Sequence, residues 1–146
     1  IIAINSFGSL LWPNDGDVDI SAPIFLLGGT MDLITPPLKE QLSLLLNTSS
    51  SPFSRALLIE GASHFSPVRV EGQVNQKSGE DLFQLGESLV GVKPIKVQNI
   101  MANQIIKFLD YLEDESSLVE SKHSLYGDLK VHLLNRQSII KILDNQ

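Results

Sequence analysis

Two short runs of apolar residues, at positions 24–27 and 56–59, constrain the fold of this chain more than any other feature. Continuous apolar runs of this length are typical of parallel strands that are buried on both faces. The segment between them begins with Thr35 and Pro36, which favour a helix N-terminus. Its leucines then recur at helical spacing, at Leu38, Leu42, Leu45 and Leu46. The pattern predicts a strand–helix–strand unit with a right-handed crossover, and therefore an α/β fold.

Further elements are expected on either side of this unit. Residues 1–5 are predicted to form a strand, and the long connection over residues 66–99 is expected to contain a short helix. Apolar residues at helical spacing predict an amphipathic helix over residues 101–112. Residues 129–143 are predicted to form another helix, after an acidic linker at residues 113–117.

Composition excludes several classes of protein. The 146 residues carry a net charge of −6, which argues against a surface that follows nucleic-acid phosphates. The chain contains no cysteine, so disulfides, thiolate metal sites and a cysteine nucleophile are excluded. No apolar stretch reaches the roughly 18 residues that a membrane-spanning helix needs. Because the chain opens on Ile1-Ile2-Ala3-Ile4 without a methionine, we expect it to be the carboxyl-terminal part of a longer protein.

Asp32 and His64 are the candidate catalytic residues. Each follows the end of a predicted strand, where the ligands of open α/β sheets bind. Since sequential strands commonly lie side by side, we expect the two side chains to meet. A carboxylate that orients a histidine supplies two of the three members of a Ser-His-Asp triad. The alternatives are that Asp32 only favours the start of the following helix and that His64 makes ordinary structural hydrogen bonds.

The nucleophile of such a triad is missing from the chain. No Gly-x-Ser-x-Gly motif occurs in it. Ser6, Ser9, Ser63 and Ser66 lack the flanking glycines of a strand-to-helix turn, and we reject them as nucleophiles. A metal site is not expected, because one aspartate and one histidine fall short of the three protein ligands of a catalytic zinc.

The other two histidines are predicted to have no catalytic role. His123 lies in a polar stretch, and His132 lies in the helix predicted over residues 129–143. Neither has an acidic partner at a useful spacing in the sequence. Both are therefore expected to be surface or packing residues.

The motifs around the candidate residues resemble those of α/β-hydrolases. The segment ISAPIFLLGGTMDLITP, at residues 20–36, resembles the acid-bearing strand and loop of that family, and GASHF, at residues 61–65, resembles its histidine loop. The order of acid before histidine agrees with the family. Among its members, the chain is most similar to predicted dienelactone hydrolases, which are related to platelet-activating-factor acetylhydrolases.

The resemblance covers residues 1–113 and implies the carboxyl-terminal part of an α/β-hydrolase domain. Residues 1–5, 24–27 and 56–59 would be the last three strands of an eight-stranded, mostly parallel sheet, and residues 101–112 the closing helix. The nucleophilic serine and the oxyanion donors would lie upstream, in the other half of the same domain. Residues 114–146 have no place in the family, and we predict that they form a helical extension.

By the same resemblance, we expect a serine hydrolase that acts on small-molecule carboxylic esters without a cofactor. Asp32 would orient His64, and His64 would act as general base and then as general acid. Two alternatives remain open. One is a non-catalytic binding or interaction protein on the same scaffold. The other is a different enzyme of this fold, such as a peptidase, a thioesterase or a haloalkane-type dehalogenase.

Overall fold

The computed structural model describes residues 1–8, 20–68, 93–113 and 121–145. In this part of the chain, five strands form one mixed sheet, with helices on both faces. The strands are β1 (Ile2–Ile4), β2 (Phe25–Gly29), β3 (Arg55–Ile59), β4 (Lys122–Tyr126) and β5 (Leu129–Asn135). A π-helical segment (Pro37–Leu42) continues into α1 (Ser43–Thr48), and the other helices are α2 (Pro94–Glu113) and α3 (Arg136–Asp144). The strand order is β1-β2-β3-β5-β4.

The three strands predicted from the sequence are present and parallel. In the register, Ile4 lies beside Leu27 and Leu27 lies beside Leu57. Every residue of β2 and β3 is buried, as their continuous apolar runs predict. Because the two strands are neighbours and point the same way, the loops that follow Gly29 and Ile59 leave the sheet at the same edge.

Helices cover both faces of the sheet, and alternate residues of each strand point to opposite faces. Helix α2 packs on one face, where Val97, Met101 and Phe108 belong to the same buried cluster as Phe25 and Leu57. The π-helical segment, α1 and α3 pack on the other face. The buried cluster on that face includes Leu26, Leu42, Leu45, Leu58 and Ile139.

The helix after β2 begins differently from the prediction. Pro36 is the residue that precedes the first helical turn, and Pro37 lies within that turn. Thr35 was expected to cap the helix through its side chain, and this expectation is wrong. The Thr35 hydroxyl instead donates to Asp32 at 2.7 Å, because the loop folds back over the aspartate.

The helix predicted over residues 129–143 is wrong in its first half. Residues 129–135 form strand β5, which pairs antiparallel with β3 on one side and with β4 on the other. Helix α3 starts only at Arg136, where the side chain of Asn135 accepts a hydrogen bond from the Ser138 backbone at 2.9 Å. In the described part of the predicted helical extension, residues 121–145, the chain therefore forms a β-hairpin followed by a helix. The hairpin enlarges the sheet of residues 1–113.

Three expectations fall outside the described residues. One is the short helix predicted within residues 66–99, whose apolar positions lie beyond residue 68 and before residue 93. Another is the exclusion of Ser9 as a nucleophile, and the third is the acidic linker, of which only Glu113 is described. Among the described helices, none combines the length and the apolar character that crossing a membrane requires.

Candidate active site

The structure brings the two candidate residues together at the carboxyl edge of β2 and β3. Nδ1 of His64 lies 3.2 Å from Oδ1 and 3.1 Å from Oδ2 of Asp32. The Asp32 side chain is fully buried, whereas 27% of the His64 side-chain surface is exposed. The carboxylate is thus withdrawn from solvent, and the imidazole lies between it and the surface.

The two loops that carry this pair are bonded to each other. The Met31 backbone N–H donates to the Ala62 carbonyl at 2.9 Å, and the Gly61 N–H donates to the Thr30 hydroxyl at 3.0 Å. Gly29 permits this close approach, because a Cβ there would lie 2.0 Å from the Ala62 carbonyl oxygen. The separation of the aspartate and the histidine is therefore fixed by their backbones.

Hydrogen-bond donors surround the Asp32 carboxylate. The backbone N–H groups of Ile34 and Thr35 donate to Oδ1 at 3.0 and 2.8 Å. The Thr35 hydroxyl and Nε2 of Gln41 donate to Oδ2 at 2.7 and 3.3 Å. Both carboxylate oxygens therefore accept hydrogen bonds from protein donors.

This network determines the tautomer of His64. The Thr35 hydroxyl gives its one proton to Asp32, so its oxygen, 3.2 Å from Nδ1 of His64, can only accept. Nδ1 therefore faces acceptors alone and must carry the hydrogen of the neutral ring. The lone pair of the neutral ring then lies on Nε2. Among the described residues, Nε2 has no hydrogen-bond partner, and it is free to accept a proton.

Gln41 was not predicted as a site residue, yet it supports the carboxylate from the π-helical segment. Its Nε2 also donates to the Thr35 carbonyl at 2.9 Å, and its side chain is buried. Gly28 makes room for it, since a Cβ at that position would lie 2.1 Å from Oε1 of Gln41. No sequence pattern points to Gln41, because its role depends on how the helix packs against β2.

Asn5, at the end of β1, supports the histidine loop from the other side. Its Nδ2 donates to the His64 carbonyl at 2.7 Å, and its own carbonyl oxygen lies 3.3 Å from the Thr35 hydroxyl oxygen, whose hydrogen is directed at Asp32. The Asn5 backbone has a φ of 48°, a left-handed conformation that asparagine tolerates better than most residues. All three parallel strands thus contribute to the site.

Ser63 and Ser66, on the histidine loop, accept hydrogen bonds from the backbone of that loop. Ser66 Oγ accepts from the Ser63 backbone N–H at 2.9 Å, and Ser63 Oγ accepts from the Phe65 N–H at 3.2 Å. Both serines are buried. The Ser6 hydroxyl is buried and has no partner in the described part of the chain. The hydrogen bonds described for the His64 ring are to Asp32 and Thr35.

His132 has an acidic partner, contrary to the prediction. Its Nε2 lies 2.9 Å from Oε1 of Glu60, and its Nδ1 lies 2.6 Å from Nδ1 of His123 on the neighbouring strand. The partner was missed because the predicted helix hid the pairing of β5 with β3. Within residues 1–8, 20–68, 93–113 and 121–145, no three histidine, aspartate or glutamate side chains are arranged to hold a metal ion.

Comparison with protein-family models, with curated proteins and with solved structures gives no match to this chain.

Proposed function

We propose that the chain supplies the acid and the base of a serine hydrolase that acts on carboxylic esters. Asp32 would orient His64, and the nucleophilic serine would come from a part of the protein outside this chain. The observation that carries the proposal is the bond between His64 Nδ1 and a buried, donor-surrounded carboxylate, which leaves Nε2 free to move a proton.

In the proposed reaction, His64 Nε2 accepts the proton of the serine hydroxyl as the serine oxygen attacks the acyl carbon. The imidazolium then gives this proton to the alcohol as the carbon–oxygen bond breaks, and an acyl-enzyme remains. Water attacks the acyl-enzyme with His64 again as the base, which releases the carboxylic acid and the serine. Asp32 holds the ring in place and stabilises each imidazolium without taking its proton. No cofactor takes part.

The hydrogen bonds of the Asp32 carboxylate favour the role of orienting His64 over a purely structural role at the start of the helix. A carboxylate that only favoured a helix start would need its backbone partners, Ile34 and Thr35. Asp32 also receives side-chain bonds from Thr35 and Gln41, and its second oxygen faces the imidazole. This arrangement fixes the ring and its tautomer, as general-base catalysis requires.

The test uses the intact protein that contains this chain and a panel of p-nitrophenyl esters. We expect His64→Ala to lower kcat by about 10⁴-fold or more, as the loss of a triad member does elsewhere. His132→Ala is the matched control, because His132 also bonds a carboxylate but lies on β5. It should leave kcat within about twofold, because the bonds described for the His132 ring are to Glu60 and His123 and not to Asp32 or His64.

Two results would contradict the proposal. One is an unchanged rate in His64→Ala, and the other is an equal loss of rate in both variants. An intact protein that cleaves no ester and does not react with a fluorophosphonate probe would favour the non-catalytic binding protein instead. The chain alone is expected to be inactive, and ester turnover by it that depends on His64 would show that the nucleophile lies within these residues.

A further inference from the structure

A second feature lies at the opposite end of the parallel strands. A cavity of about 220 Å³ opens between helix α2 and the sheet, and its walls include the first residues of β2 and β3, Phe25 and Arg55. Asp32 and His64 follow the last residues of the same strands, which are about 13 Å further along at 3.3 Å per residue. The cavity is therefore separate from the candidate active site.

Arg55 places a buried positive charge in the wall of this cavity. Only 4% of its surface is exposed. One guanidinium nitrogen donates to the Pro52 and Ser54 carbonyls at 2.7 and 2.8 Å, and another lies 3.5 Å from the Tyr111 hydroxyl. Burial lowers the pKa of Arg55, yet a guanidinium stays charged in proteins.

No described acidic residue balances this charge. Arg55 forms no ion pair within the described residues, and its buried Nε has no hydrogen-bond partner there. Buried charges in proteins are normally paired or fully hydrogen-bonded, because their desolvation is costly. The unpaired Nε and the missing counter-ion both indicate that this wall suits an anion.

The other charged residues that line the cavity are also positive. The exposed lysines Lys107 and Lys122 line it, and no aspartate or glutamate is among its described lining residues. The Tyr126 hydroxyl accepts from Nε2 of Gln104, so its own hydrogen is available to a bound oxygen. Much of the remaining surface is apolar and includes the stacked rings of Phe25 and Phe108, whose centroids are 4.7 Å apart.

We propose that this cavity binds a small carboxylate with an aromatic or aliphatic tail. The carboxylate would lie near Arg55, Lys107 and Lys122, and the tail would lie on the phenyl rings. A cavity of 150 Å³ accommodates benzene, so this volume suits a ligand of about ten non-hydrogen atoms. The proposal is independent of the proposed esterase activity, because it uses none of the residues around Asp32 and His64.

The test is a titration of the ¹⁵N-labelled chain with phenylacetate and with phenylacetamide, its uncharged analogue. We expect saturable NMR shifts with phenylacetate at residues that line the cavity, such as Ser124 and Leu133. Phenylacetamide should bind about tenfold more weakly, because it lacks the charge-assisted hydrogen bonds to the basic groups. No saturable shift, or equal binding of the two compounds, would overturn the proposal.

Substitutions at the lining residues test whether phenylacetate binds in this cavity. Arg55→Met removes the buried charge but also hydrogen bonds that support the fold, so the decisive variant is the double substitution of two exposed residues, Lys107→Gln with Lys122→Gln. It should weaken phenylacetate binding about threefold to tenfold, because each lysine contributes a charge near the mouth. The matched control is Lys39→Gln with Lys141→Gln, two exposed lysines on the elements that pack against the other face. Equal weakening by both pairs would overturn the proposed site.

Discussion

Replacing Asp32 with asparagine is predicted to change the tautomer of His64. The carboxylate oxygen Oδ2 lies 3.1 Å from Nδ1 of the ring and accepts from the Thr35 hydroxyl. In Asp32→Asn, the amide carbonyl can keep the backbone bonds that Oδ1 makes to Ile34 and Thr35. The amide NH₂ then takes the place of Oδ2 and donates to the ring. Nδ1 must become an acceptor, and the hydrogen of the neutral ring moves to Nε2.

The stability cost follows from the same contacts. The variant loses a hydrogen bond between the ring and a charged group, and Nε2 of Gln41 faces another donor. Thr35 can compensate for part of this loss, because its hydroxyl lies 3.3 Å from the Asn5 carbonyl and can donate there. With 1 to 3 kcal/mol for each buried mismatch, we expect the free energy of unfolding to fall by about 2 to 4 kcal/mol.

The assay is ¹⁵N NMR of the His64 ring in the neutral form, together with urea denaturation. The expected result is a proton on Nδ1 in the natural chain and on Nε2 in Asp32→Asn. Thr35→Val is the matched control, because it removes the hydroxyl at 2.7 Å but keeps the carboxylate, and its histidine should remain protonated on Nδ1. The same tautomer in the natural chain and in Asp32→Asn would refute the deduced arrangement of hydrogens.

Three further predictions concern the rest of the structure. Gly29→Ala should lower the free energy of unfolding by about 2 to 4 kcal/mol in urea titrations, since its Cβ would lie 2.0 Å from the Ala62 carbonyl oxygen; a neutral effect would contradict the rigid contact between the loops. The hydrogen bond with His132 lowers the pKa of Glu60, so ionised Glu60 stabilises the folded chain. This stabilisation is complete above pH 4.5, the ordinary pKa of the group, and is lost as the pH falls through the lower pKa of the folded chain. Near neutral pH, the melting temperature of the natural chain should therefore be higher than that of Glu60→Gln, and the two should become equal in acid. A difference in melting temperature that does not change with pH would contradict this. Phe108→Ala should cost about 3 to 5 kcal/mol in urea titrations, because the ring is buried, and a loss below about 1 kcal/mol would show that the core collapses around the gap.

The parallel part of the sheet was predictable because local and tertiary preferences agree there. The runs at residues 24–27 and 56–59 are apolar on both faces, as is typical of parallel strands that helices cover on both sides. The meeting of Asp32 and His64 then follows from the adjacency of sequential strands. Thr35 and Gln41 could not be predicted in their roles, since these depend on how the loop and the π-helical segment fold over the carboxylate.

The hairpin was missed although the sequence contains an indication of it. Gly127 and Asp128 lie between two short strands, and Gly127 has a φ of 67°. A Gly-Asp pair between two such segments is typical of a two-residue hairpin turn. The apolar residues of Leu129–Asn135 also fit a helical period, and the helix that follows at Arg136 extends that period. The helical pattern therefore concealed the change of structure at Asn135, whose side chain caps the helix.

The position of β2 and β3 in the sheet has a consequence for thermal fluctuations. Both strands have paired neighbours on each side, whereas β1 and β4 are the outer strands of the described sheet. Fraying starts at outer strands, and amide hydrogens there exchange with solvent first. The backbone amide hydrogens of β2 and β3, which lead into the aspartate and histidine loops, should therefore exchange last. These two strands should separate only when the whole sheet opens.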